Sequence, residues 1–284
     1  LCEQQAQPLK RLMSSEAFFL PADKGYRFCL FTPAVGRVEK AALIYIHPFA
    51  EELNKTRRMV ALQVRALAES GYSVLQIDLL GCGDSSGDFG DATWEVWSDD
   101  VALAFRHLRQ RTGAPIWLWG LRAGCLIAAA SAPSLPEKVN LLFWQPMLSG
   151  KVLLQQFLRL GQAGALMDEA GGKGAGSRLR AELAAGRSIE IAGYRLSPAL
   201  AESLEKAVLV PAGGGDVSLI WIDVVRREVA DISSATAAQL AIWTSAGQRV
   251  EYQTVLGPAF WQTTEIETAP ALLERTLELL ESVA

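Results

Sequence analysis

Histidine is almost missing from this chain: 284 residues carry two, His47 and His107. Imidazole proton transfer therefore has only these two places to reside. Cysteine is sparse as well. The four, Cys2, Cys29, Cys82 and Cys125, fall at no CxxC or metal-ligand spacing, and Cys29 and Cys125 lie in apolar surroundings. Reduced packing thiols are expected, with no metal and no other cofactor. No excess of positive charge is present: 27 Lys and Arg against 31 Asp and Glu leave a net charge of −4, which offers no basic field to nucleic acid. No apolar run approaches the roughly 18 residues that span a bilayer. The start, Leu1-Cys2-Glu3-Gln4-Gln5, has neither a basic n-region nor an apolar h-region, so a cytoplasmic location is expected. Leu1 in place of Met suggests a start that is missing or processed. There is no internal repeat.

What remains is ordinary globular material, 50% hydrophobic and 20% charged, enough for one large domain or a core with a small insertion. Ala17 to Leu20 and Tyr26 to Thr32 read as an N-terminal antiparallel hairpin across the turn Ala22-Asp23-Lys24-Gly25. Ala41 to Ile46 is a continuous apolar run of the kind buried on both faces of a sheet, as are Ser73 to Ile77, Ile116 to Trp119, Asn140 to Trp144 and Val217 to Val225. Helices are expected over Thr56 to Glu69, over Trp94 to Arg109, with Trp94, Trp97, Val101, Phe105 and Leu108 on one face, and over Ala123 to Ala130. The alternation resumes late in the chain with a helix over Ser233 to Ala246, a strand over Arg249 to Val255 and a helix over Pro270 to Ser282. Strands alternating with helices predict a doubly wound, mostly parallel α/β sheet.

The alternation breaks between about Leu148 and Ala212. Lys151 to Leu160 and Arg178 to Ala185 read there as helices around the glycine-rich stretch Gly171 to Gly176. The expected organisation is a core over residues 1–147, a small helical lid insertion over 148–212 and the rest of the core over 213–284. A lid over the carboxyl ends of the strands would gate ligand access; an ornamental excursion with a loose tip is the other reading.

The most informative segment is Pro115 to Ala130, a short apolar strand, the turn Gly120-Leu121-Arg122-Ala123-Gly124 and a small-residue helix. This is the strand-turn-helix context of the nucleophile elbow of an α/β-hydrolase, with Arg122 where the Ser would stand. A guanidinium has no lone pair with which to attack a carbonyl and keeps its charge at working pH. Beside the amino terminus of the following helix it suits a bidentate clamp for a carboxylate, phosphate or sulfate. An internal ion pair with Glu51, Glu52 or Asp223, plugging a dead pocket, is the competing reading.

The other triad positions fail as well. Gly83-Asp84-Ser85-Ser86-Gly87 matches Gly-x-Ser-x-Gly, but it follows a different strand and opens no helix, so Ser85 is expected to bond local backbone. In the loop after the last strand, Leu256-Gly257-Pro258-Ala259-Phe260-Trp261-Gln262, Phe260 takes the place expected for the histidine. Asp223 comes about two residues early for the acid. The loop His47-Pro48-Phe49-Ala50-Glu51-Glu52 lies where an oxyanion loop is kept, stiffened by Pro48. His47 either orients that loop through its ring nitrogens or serves as a general base held by Glu51 or Glu52. His107, between Arg106 and Arg109, is expected to face solvent.

The runs His47 to Lys55, Gly81 to Trp94, Trp119-Gly120-Leu121-Arg122 and Gly257 to Thr263 together resemble the second type of exosortase-A-associated hydrolase, over about residues 17 to 280. The resemblance implies an α/β-hydrolase-superfamily protein of Gram-negative bacteria encoded beside the machinery for exopolysaccharide and PEP-CTERM protein sorting, and it brings no demonstrated substrate. The sister type resembles this chain but has Cys at the elbow. Cys125, three residues past Arg122, is not expected to reach that point.

Three functions stay open on these residues. In the first, a pseudo-hydrolase centred on Arg122 binds a small anionic ligand, a carboxylated or phosphorylated saccharide or lipid intermediate, with Trp119, Leu121, Ala123, Phe260, Trp261 and Gln262 as pocket neighbours. In the second, His47 with Glu51 or Glu52 activates water and Arg122 stabilises the oxyanion in an unusual ester hydrolase, Asp223 being a further candidate neighbour of the pocket. The third is a scaffold whose pocket is plugged. A homodimer also stays open.

Overall fold

The computed structural model describes residues 15–36, 38–167, 175–211, 216–228 and 232–283. Ten strands and eight α-helices lie among them: β1 Glu16–Pro21, β2 Tyr26–Thr32, β3 Ala41–Ile46, α1 Glu52–Glu69, β4 Tyr72–Ile77, α2 Trp94–Arg111, β5 Ile116–Leu121, α3 Ala123–Ser131, β6 Asn140–Trp144, α4 Gly150–Met167, α5 Ala175–Ala184, β7 Ile189–Ile191, β8 Tyr194–Leu196, α6 Pro198–Lys206, β9 Ser218–Val225, α7 Ser234–Ser245, β10 Arg249–Leu256 and α8 Pro270–Val283. Eight strands form one sheet in the order β1-β2-β4-β3-β5-β6-β9-β10. β1 runs antiparallel to β2 and β2 antiparallel to β4, while all pairs from β4 to β10 are parallel.

The continuous apolar runs are sorted by the pleat into two cores, because successive side chains of a strand face opposite sides. Ala42, Ile44, Ile46, Leu118, Leu141, Phe143 and Trp221 pack with α2, α3 and the first turns of α4. Leu43, Tyr45, Trp117, Trp119, Leu142, Trp144, Ile220 and Ile222 pack with α1 and α8 on the other side. Both faces are dry, which is why the strands read as unbroken hydrophobic runs rather than as an alternation.

Two elements differ from the sequence expectation. α1 begins four residues before Thr56, at Glu52, because the turn Pro48 to Glu51 already supplies its first acceptors: Phe49 O takes the Glu52 N–H at 3.2 Å and Ala50 O the Leu53 N–H at 3.1 Å. Glu52 and Lys55 thereby lie on a helix rather than in a loop. Between β6 and β9 the chain adds α4, α5 and α6, and also the small antiparallel hairpin β7–β8. Its two strands are too short to show a period, and Ala192 and Gly193 turn it at φ +52° and +82°, the positive dihedrals of a two-residue hairpin turn. Most of the glycine-rich stretch, residues 171–174, lies outside the described residues.

Candidate functional site

The carboxyl ends of the parallel strands carry the loops on which the sequence reading placed the chemistry. β5 ends at Leu121 and α3 begins at Ala123, so Arg122 alone makes the turn, at φ +56° and ψ −114°. Such a conformation costs on the order of 1–3 kcal/mol for a residue with a side chain and persists only where its surroundings impose it. They do so here. A Cβ on Gly124 would meet Ile46 O at 2.1 Å, and one on Gly120 would meet Cys125 Cα at 2.6 Å, so the two glycines let α3 press against β3 and β5. Arg122 N–H donates to Trp144 O at 3.0 Å, and Arg122 O accepts from Cys125 N–H at 3.2 Å and Met147 N–H at 3.3 Å. The backbone is that of a nucleophile elbow.

The side chain on it is buried and engaged. Arg122 Nε lies 3.3 Å from both Glu52 Oε1 and Oε2, Nη2 donates to Glu52 Oε1 at 3.1 Å and to Gln156 Oε1 at 3.1 Å, and the guanidinium stacks 5.3 Å above the Trp261 ring. Burial raises the Glu52 carboxyl above its ordinary value, against the pull of the Arg122 charge and hydrogen bonds. Of the three carboxylates considered for an ion pair, Glu51, Glu52 and Asp223, it is Glu52 that makes it among the described residues.

A cavity of about 290 Å³ opens beside this pair, between the start of α1 and α4. Glu52 and Gln156 belong to its wall, and Arg122, bonded to both, is not among the residues that line it. Its apolar wall is Phe49, Leu153, Phe157 and Leu160, with Phe49 and Phe157 edge to face at 5.1 Å, and its remaining polar groups are Glu51, Lys55 and Gln262.

His47 is not placed as a base. Its Nδ1 lies 2.8 Å from Pro48 O and its Nε2 accepts the Leu79 N–H at 3.2 Å, which fixes a neutral ring with Nδ1 carrying the proton and leaves no lone pair for water. Burial lowers its pKa. The ring ties the loop after β3 to the end of β4. Asp223 is equally occupied: Oδ1 accepts from Trp221 Nε1 at 2.8 Å and Oδ2 from Tyr252 Oη at 3.2 Å, and burial raises its carboxyl. It makes no bond to Arg122 among the described residues.

Further site residues take other places. Trp119 and Leu121 face the α1 and α8 side of the sheet, where Trp119 packs between Tyr45 and Trp144 at 4.7 Å from each, so the pleat turns them away from the cavity. Ala123 is buried in the opposite core under α3. Phe260 is buried edge to face with Trp261 at 5.1 Å; of the last loop, Gln262 reaches the cavity. Ser85 Oγ donates to Asp78 O at 2.5 Å and accepts the Phe28 N–H at 2.8 Å, so its hydroxyl is consumed by backbone. His107 is half-buried against the Phe18 ring, 4.9 Å away, rather than facing solvent. Cys125 is sealed in the core, its thiol pushed well up by burial.

Sequence reasoning missed Lys55 and the α4 residues Leu153, Gln156, Phe157 and Leu160. The helical spacing 153, 156, 157, 160 was a signal for one face of α4, and an earlier start of α1 would have put Glu51 and Lys55 one turn apart on one side.

Comparison with known proteins agrees on the fold. The profile of a family described as serine aminopeptidase, S33, matches residues 38–171. Protein ABHD12B of Homo sapiens is 31% identical over 116 residues, which is 40% of this chain and 30% of that protein; the match thus spans about a third of the relative's length. Among solved structures, Est1E from Butyrivibrio proteoclasticus with bound ferulic acid superposes with a TM-score of 0.64 at 16% identity, covering 94% of this chain and 97% of that one. A thermostable carboxyl esterase from Bacillus coagulans in complex with glycerol gives 0.63 at 14% identity over 95% and 99%. Alpha/beta hydrolase domain-containing protein 10 from mouse gives 0.60 at 16% identity over 95% and 100%. This chain has the α/β-hydrolase fold, and its residues 38–171 are similar in sequence to the serine aminopeptidase, S33, family.

Proposed function

We propose that this chain is a non-hydrolytic α/β-hydrolase-fold protein that binds a small ligand in the cavity between α1 and α4. The observation that carries the reading is the elbow: its central residue is Arg122, tied through Nε and Nη2 to Glu52 and Gln156. That side chain neither attacks nor presents its fork to an incoming acyl group. The two other groups that could serve in acid–base chemistry are also spent, His47 on Pro48 and Leu79 and Asp223 on Trp221 and Tyr252. An ester hydrolase using His47 is disfavoured by the same hydrogen bonds. In place of catalysis the elbow pair braces the cavity wall, and the segment from α4 to α6 acts as the lid over it.

The ligand class follows from the resemblance to exosortase-associated hydrolases and from the mixed wall of the cavity: an anionic saccharide or lipid intermediate of exopolysaccharide assembly or protein sorting. The cavity, with open polar groups at Glu51, Lys55 and Gln262, favours binding over a purely surface-acting scaffold. A fluorophosphonate probe tests the reading directly. The protein stays unlabelled and turns over no p-nitrophenyl ester; stoichiometric labelling of Ser85 or Ser86, or turnover that survives purification, overturns it.

A further inference from the structure

Arg122 was the expected anion site, yet it is buried in an ion pair with Glu52 and is not among the residues lining this cavity. One cation remains on the cavity wall. Lys55 is half-buried at the end of the first turn of α1, and among the described residues its ammonium makes no ion pair within 4 Å, its charge acting on Glu52 only at longer range. Opposite the polar end, the lid helix presents Leu153, Phe157 and Leu160, spaced along one face of α4. Exposure along that stripe rises from 3% at Leu153 and Phe157 to 44% at Leu160. An exposed leucine continuous with a buried apolar wall offers an alkyl chain a way into the cavity. Phe49, held edge to face by Phe157, Phe89 and Trp97, is the rigid part of that wall.

Resting on the binding role argued above, we infer that the cavity takes an amphiphilic carboxylate, its single negative charge on Lys55 and its hydrocarbon chain laid along the contiguous apolar wall of Phe49, Leu153, Phe157 and Leu160. The charge count selects the head group. Glu51 shares the same wall and opposes a second negative charge, so a single ammonium matches a carboxylate better than a phosphate dianion. The apolar wall selects the tail: once Glu52 and Gln156 are bonded to Arg122, too few free donors and acceptors remain to replace the water shell of a sugar. A volume near 290 Å³, at the lower edge of the roughly 300–1,000 Å³ usual for ligand pockets, limits the chain to a short or medium one.

The test is titration calorimetry on the whole protein with sodium octanoate, set against octanol, octyl phosphate and glucuronate, in the wild type, Lys55→Met and Lys55→Arg. Octanoate binds the wild type and Lys55→Arg, and Lys55→Met weakens it by about tenfold or more, the loss expected for one charge-assisted hydrogen bond. Octanol, lacking the charge, binds wild type and Lys55→Met alike. Tighter binding of octyl phosphate than of octanoate overturns the head-group assignment. Binding of glucuronate without octanoate overturns the amphiphile while leaving the non-hydrolytic binding role intact, and equal octanoate affinity in Lys55→Met overturns the role of Lys55. Fluorophosphonate labelling, by contrast, would strike the binding role itself.

Discussion

Glu52 and Arg122, 70 residues apart in the chain, meet at the elbow as a buried ion pair, Nη2 3.1 Å from Oε1 and Nε 3.3 Å from both carboxylate oxygens. Each is held from a different direction: Glu52 by the first turn of α1, Arg122 by the strained turn between β5 and α3. The pair therefore joins the loop after β3 to the loop after β5 at the point where a hydrolase would assemble its reacting groups. Taking two charges out of water is costly, so such a pair contributes little net stability, but removal of one partner strands the other.

That asymmetry sets the first prediction. Glu52→Ala leaves the Arg122 guanidinium buried with only Gln156 and Trp261 beside it and destabilises the protein by about 3–5 kcal/mol. Arg122→Leu also destabilises, by less, because Glu52 can neutralise itself by keeping a proton, the direction in which burial already drives it. The double variant Glu52→Leu, Arg122→Leu recovers most of the loss. Urea unfolding of the four proteins measures the coupling. Two single losses that simply add in the double variant would show that the pair is not formed.

His47 provides a pH signature. Burial lowers its pKa in the folded protein, so below the ordinary imidazole value of about 6.5 the unfolded chain takes up a proton that the folded chain refuses. The contribution of the neutral ring is present above that pH and is lost as pH falls through it. Glu52, with a raised pKa, acts in the opposite sense over the window above the ordinary carboxylate value: its burial costs more as pH rises. The difference between wild type and His47→Gln isolates the histidine. The expected outcome is a wild type that loses stability between about pH 6.5 and 5 more steeply than His47→Gln. Parallel curves would mean that the ring is free to protonate in the fold, and would return it to the list of bases.

Most of the fold could be read from the sequence because its signals are local. β3 and β6 occupy the expected residues exactly as their apolar runs do, and the elbow announces itself through Gly120 and Gly124, whose close contacts admit no side chain. The site was legible in part. Arg122 and Glu52 were both named, but which carboxylate would pair with it depended on where α1 begins, and that is set by the backbone of Phe49 and Ala50 rather than by any capping side chain. Trp119 was misplaced because neighbouring residues of a strand buried on both faces look alike in sequence, and only the pleat says which of them meets the cavity. The hairpin β7–β8 and the cavity-facing side of α4 belong to the insertion, where packing against the core, not periodicity, decides the outcome.

The last prediction concerns the elbow glycines. Gly124 lies in the first turn of α3, and a Cβ there would sit 2.1 Å from Ile46 O and 2.8 Å from His47 O. Both neighbours are backbone atoms, so no side-chain rotation relieves the clash; α3 must move away from the end of β3. Gly124→Ala should therefore lower stability by about 1–3 kcal/mol or more, the usual range for forcing extra volume into a packed interior. Gly113→Ala is the matched control. Its Cβ meets nothing within 4 Å and its φ is not positive, so the change is neutral or slightly stabilising through loss of freedom in the unfolded chain. Because Arg122 is carried on the same turn, displacement of α3 also stretches its bonds to Glu52. In Gly124→Ala, removing Glu52 should then cost less than it does in the wild type, which a double-mutant cycle in urea reads directly. A Gly124→Ala protein as stable as Gly113→Ala would show that α3 does not approach β3 so closely, and the placement of Arg122 at the elbow would have to be abandoned with it.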